Sequence, residues 1–111
     1  MEEQWNKVLN FFKQNFTDGE EPEMDVILFL IGIQELGKVK KQYSKDEKVN
    51  LMHIATCKLL EPYGYYQFEK IDAEGWPHYK KIKNIPVKNS EEQEKLIQQA
   101  IINYFKKQNL F

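Results

Sequence analysis

The sequence predicts a mainly helical α+β domain of four helices, with one β-hairpin between the third and the fourth. Three observations predict it. Apolar residues recur at helical spacing in four separate segments. Aromatic and β-branched residues flank a D-x-x-G turn between the third and fourth of these. Serine, glycine and proline stand where the helices should begin and end. No repeat or linker interrupts the 111 residues, so 1–111 reads as a single domain, a length that suits one core.

Trp5, Val8, Leu9, Phe12 and Phe16 predict an amphipathic helix over 2–16, ended by Thr17, Asp18 and Gly19. Residues 18–25 are acidic around Pro22. Proline suits a first helical turn, and acids there meet the positive end of the helix dipole. A second helix therefore begins near Pro22 and runs to Leu36, with Gly37 in the C′ position. Its stretch Val26–Ile33 is apolar on all sides, which predicts a central, buried helix.

Lys38 to Tyr43 is a basic connector. Ser44 and Glu47 then form an S-x-x-E capping box. The third helix runs over 45–60 on Leu51, Met52, Ile54, Ala55, Leu59 and Leu60, and Pro62 and Gly64 end it. Within it, Cys57 reads as a small core residue and His53 as a half-buried one. Tyr65, Tyr66, Phe68 and Ile71 form the first hairpin strand, and Trp76, Tyr79 and Ile82 the return, across Asp72-Ala73-Glu74-Gly75. Pro77 makes the second strand an edge near its start. Ser90 and Gln93 form a second capping box before a helix over 91–107. The closing Leu110-Phe111 predicts a tail docked on the core.

Net charge is −1, but it is unevenly spread. Residues 1–37 hold two lysines and eight acids, net −6; residues 38–88 hold eleven lysines and six acids, net +5. All sixteen basic residues are lysine. The absence of arginine removes the favoured reader of guanine edges and leaves lysine point charges for any phosphate. One cysteine excludes an intramolecular disulfide, and the acidic start is unlike a signal peptide. The longest apolar run, Val26–Ile33, falls far short of the roughly 20 residues that cross a bilayer. These features predict a cytoplasmic chain with no membrane partner.

Three helices followed by a hairpin is the order of a winged helix. On that reading Ser44–Leu60 enters a groove of nucleic acid and Tyr65–Ile82 is the wing. Lys38, Lys40, Lys41, Lys45, Lys48, Lys80, Lys81 and Lys83 would grip phosphates. A pI near 6.1, and Asp46 and Glu47 at the start of the reading helix, favour instead a solvated lysine face. Glu35, His53 and His78 offer oxygen and nitrogen ligands for a metal, provided they meet at one point. Cys57 and His53 are the one nucleophile–base pair worth naming, and no orienting group accompanies them. The five glycines are too far apart for a phosphate loop. The chain therefore reads as non-enzymatic, with no cofactor.

Tyr65, Tyr66, Phe68, Trp76 and Tyr79 point to protein recognition, since aromatics anchor interfaces. Strand alternation puts Tyr66 and Phe68 on one hairpin face and Tyr65 and Ile71 on the other. One small helical layer cannot bury both faces, so one is left for a partner: another protein, or a second copy in a homodimer.

The segments Ile27–Gly37, Leu51–Cys57, Gly64–Tyr66 and Gly75–His78 resemble a group of small bacterial proteins to which no function is assigned. That resemblance implies no activity, substrate or catalytic residue. It adds only that Glu35, His53 and His78 fall within the similar segments.

Overall fold

A computed structural model describes residues 2–110. Along the chain it shows α1 (Glu2–Asn15), α2 (Met24–Leu36), α3 (Lys45–Leu60), a 3-10 turn (Glu61–Tyr63), β1 (Tyr66–Ile71), β2 (Pro77–Lys81) and α4 (Ser90–Lys107). The expected order, three helices, a hairpin and a fourth helix, is the observed one. The residues form two compact units, one built on α1 and α4 and the other on Met24–Ile85.

In the first unit, α1 buries Val8 and Phe12, and α4 buries Ile97, Ala100, Ile101, Ile102, Tyr104 and Phe105. The Phe105 ring stands 5.2 Å from Phe11, edge to face, and 5.7 Å from Phe12. The cap of α4 differs from the Ser90–Gln93 box expected. Asn89 is the N-cap, its side chain accepting the Glu92 amide at 2.9 Å, and Glu92 accepts the Lys88 amide at 2.8 Å. Asn and Ser cap about equally well, so the sequence offered two registers one residue apart. At the other end, Asn109 adopts φ 56° and the Leu110 amide reaches back to the Phe105 carbonyl, a left-handed closure. Leu110 is 43% exposed, so the docked tail expected is not seen there, and Phe111 lies outside the described residues.

In the second unit, α2 packs on α3. Gly32 sets how closely: a Cβ there would overlap the Leu51 carbonyl oxygen and lie 2.7 Å from the carbonyl carbon. α2 is less buried than its composition suggested. Ile27, Ile31, Gly32 and Leu36 are buried, but Val26 is 39% exposed and Phe29 and Ile33 are half-buried. A helix apolar on every side must leave apolar surface beyond the stripe its neighbours cover. Gly37, at φ 75°, ends α2 as expected. Both halves of the Ser44–Glu47 capping box are present at the start of α3. Cys57 is fully buried, whereas His53 is exposed rather than half-buried.

β1 and β2 pair antiparallel, Tyr66 with Lys81, Phe68 with Tyr79 and Ile71 with Pro77. A bulge at Glu69, between Phe68 and Lys70, adds one residue to β1. That extra residue reverses the parity downstream. Ile71 therefore joins the face of Tyr66, Phe68 and Tyr79, not the Tyr65 face that simple alternation predicts. Among the described residues no helix is long and apolar enough to cross a membrane.

Candidate functional site

Concave features of opposite character are found within Met24–Ile85. The first is a groove of about 480 Å3. Its floor is apolar. Phe29 and Ile33, four apart on α2, share a helix face, and the connector lays Val39 and Tyr43 beside them. The Phe29 and Tyr43 rings meet edge to face at 5.5 Å. The Tyr43 hydroxyl donates to the Lys38 carbonyl at 3.1 Å and accepts the Lys40 amide at 3.0 Å, pinning the connector in its bend. Val39 is 84% exposed.

Lys40, Lys41 and Lys48 form the basic part of the rim. Lys40 Nζ lies 2.6 Å from Glu47 Oε2. That hydrogen bond raises the ammonium pKa; together with the Ser44 amide it lowers that of the carboxylate. Lys41 and Lys48 are exposed and enter no ion pair among the described residues.

The second feature is a cleft of about 370 Å3 between the first turns of α3 and the hairpin tip. Asp46, Glu47, Asn50 and His53 line one side, and Asp72, Glu74, Trp76 and His78 the other. Asp72 organises the tip. Its Oδ1 accepts the Glu74 and Trp76 amides at 2.9 and 3.0 Å, and its Oδ2 accepts His78 Nε2–H at 2.8 Å. The His78 contact, then the Trp76 amide, pull its pKa down to about 2. Tyr79, which also lines the cleft, is pushed up to about 12, first by burial and then by the charge of Glu35. Four carboxylates make this cleft acidic where the groove is basic.

The eight expected lysines divide. Lys40, Lys41 and Lys48 meet at the groove. Lys38 Nζ donates to the Glu74 carbonyl at 3.1 Å, and Lys83 stands 5.0 Å over the Tyr65 ring. Lys45, Lys80 and Lys81 are exposed; Lys80 faces away from Lys81 by strand alternation. Most of the expected interaction aromatics are engaged within the fold. Tyr66 meets His53 edge-on at 6.2 Å, Phe68 meets Tyr79 at 5.7 Å, and Trp76 lines the acidic cleft. Phe68 and Ile71 remain 43% and 63% exposed.

Glu35, His53 and His78 do not meet as a metal site. The two imidazoles line the same cleft without Glu35, and no group of three His, Cys, Asp or Glu side chains among the described residues is arranged to hold a metal. Each imidazole already has a partner: His53 Nε2 is 3.5 Å from Cys57 Sγ, and His78 is bound to Asp72. Nor is Cys57 an activated nucleophile. Burial pushes its thiol up to about 11, so the thiolate that would attack is scarce at neutral pH.

Sequence reasoning missed the groove floor and the Asp72–His78 pair. The signal for the groove was Val39 and Tyr43 set among the lysines of 38–43. No family model, no curated protein and no solved structure matches this chain.

Proposed function

We propose that this protein is a small, non-enzymatic interaction module of the cytoplasm whose groove holds an acidic segment of a protein partner. The observation that supports this is Val39, 84% exposed on an apolar floor beside the exposed lysines Lys41 and Lys48. An apolar side chain laid on Phe29, Ile33 and Val39 gains from leaving water. Carboxylates flanking it meet ammonium groups that impose no fixed geometry. Buried apolar anchors with a complementary charged rim are the usual division of labour at an interface.

Nucleic acid fits the surface less well. In the winged-helix arrangement the third helix and the hairpin both face the duplex. Asp46, Glu47, Asp72 and Glu74 stand there and would repel phosphate.

Fluorescence anisotropy tests the proposal with three probes: a glutamate-rich peptide carrying one central leucine, the same peptide with glycine in its place, and a single-stranded oligonucleotide. The leucine peptide binds best, and its binding weakens with salt and with Val39→Asp or the pair Lys41→Glu and Lys48→Glu. Tighter binding of the oligonucleotide would move the surface to nucleic acid. Peptide binding indifferent to all these substitutions would remove the groove from the function.

A further inference from the structure

We infer that the acidic segment this groove takes is the Phe16–Asp25 stretch of a second copy of the same chain. The inference rests on the groove reading above and names its partner.

The charge of the chain is segregated, net −6 over residues 1–37 and net +5 over 38–88. The acidic side is concentrated between α1 and the first turn of α2. Asp18, Glu20, Glu21, Glu23 and Asp25 are all exposed, and none enters an ion pair among the described residues. Just before them Phe16 is 56% exposed. An apolar ring followed within nine residues by five unpaired carboxylates is what an apolar groove with free lysines on its rim requires.

The stretch is also held in shape. Asp18 and Gly19 adopt φ 53° and 88°, and the Gly19 amide donates to the Lys13 carbonyl at 2.9 Å. The Thr17 hydroxyl donates to the Glu20 carbonyl across the same turn. A segment already bent and bonded loses less conformational entropy on docking than a free tail. Each copy offers both a groove and an acidic stretch, so in a two-fold pair each copy would fill the groove of the other.

The test is a charge swap followed by sedimentation equilibrium at low and high salt. One variant carries Lys41→Glu and Lys48→Glu, the other Glu21→Lys and Glu23→Lys, and circular dichroism checks the helices of each. Wild type sediments as a dimer at low salt and shifts toward monomer as salt screens the charges. Each variant alone is a monomer, and an equimolar mixture returns to the dimer, because one contact re-forms with its signs exchanged and the other with its native signs. That rescue also shows that both variants are folded. A wild type that stays monomeric at its highest soluble concentration overturns the inference, as does a mixture that fails to pair. If the glutamate-rich leucine peptide still binds the groove of a monomeric wild type, the interaction module stands and only the identity of the partner falls. If it does not bind, both readings fall.

Discussion

Glu47 bonds Lys40 and the start of α3 at once: Oε2 accepts the Lys40 ammonium at 2.6 Å while Oε1 accepts the Ser44 amide at 2.9 Å. The helix cap thus fixes a lysine on the groove rim. The two roles separate by mutation. Ser44→Ala removes the hydroxyl that accepts the Glu47 amide at 3.1 Å and costs about 1 kcal/mol of stability, read as a lower urea midpoint. Peptide affinity at the groove stays near wild type. Glu47→Ala releases Lys40 as well, and affinity changes even when compared at matched stability. Equal effects of the two substitutions on affinity would show that the cap alone shapes the rim.

Asp72 gives the hairpin tip an acid sensitivity. Its pKa falls from 3.8 to about 2 because the folded state hydrogen-bonds the ionised form, chiefly through His78. A depressed carboxylate stabilises fully above its unfolded value and loses that contribution as pH falls through the folded one. The tip should therefore loosen between about pH 4 and pH 2. In a Trp5→Phe background Trp76 fluorescence reports the tip, because the Trp76 amide binds the same carboxylate. Asp72→Asn should abolish the transition in that window. A wild-type signal flat across it would place the acid response elsewhere.

Gly32→Ala tests the closeness of α2 and α3. Alanine gains about 1 kcal/mol in helix propensity over glycine. The new methyl group, however, meets Leu51 backbone, which has no rotamer to escape through. Overpacking of this kind costs about 1–3 kcal/mol, and a backbone clash belongs at the upper end. A net loss of stability in urea is expected. A gain would mean that the helices separate at little cost.

Cys57 should resist thiol reagents. It is fully buried, and with its pKa near 11 roughly one thiol in ten thousand is ionised at pH 7. Labelling by a disulfide reagent should be slow in buffer and accelerate across the unfolding transition in urea. Rapid labelling of the native protein would mean that α3 opens locally.

The helices were legible because each carries at least one local signal among apolar spacing, a cap and a stop. Ser44, Glu47 and Gly37 act as their types predict. Less legible was anything set by a count of one. The bulge at Glu69 has no residue that announces it, yet it moves Ile71 to the opposite face. The groove was hidden for a different reason. Phe29 and Ile33 lie in a run apolar on every side, and such a run does not say which flank is left uncovered. His78 was read as a metal ligand because its pairing with Asp72 depends on how the turn folds.

The start of α4 offers the sharpest contrast between a local pattern and the structure, and it can be measured. Asn89-Ser90-Glu91-Glu92-Gln93 contains two overlapping caps, Asn89 with Glu92 and Ser90 with Gln93. Only the first forms, with Asn89 at φ −155° and its side chain on the Glu92 amide. Ser90 is already the first residue of the helix, exposed, with no side-chain hydrogen bond among the described residues. Asn89→Ala should therefore cost about 1 kcal/mol, while Ser90→Ala should be neutral or slightly stabilising, since alanine is the better helix former. Two urea titrations decide it. If the two costs were reversed, the helix would begin one residue later, with Ser90 as its cap.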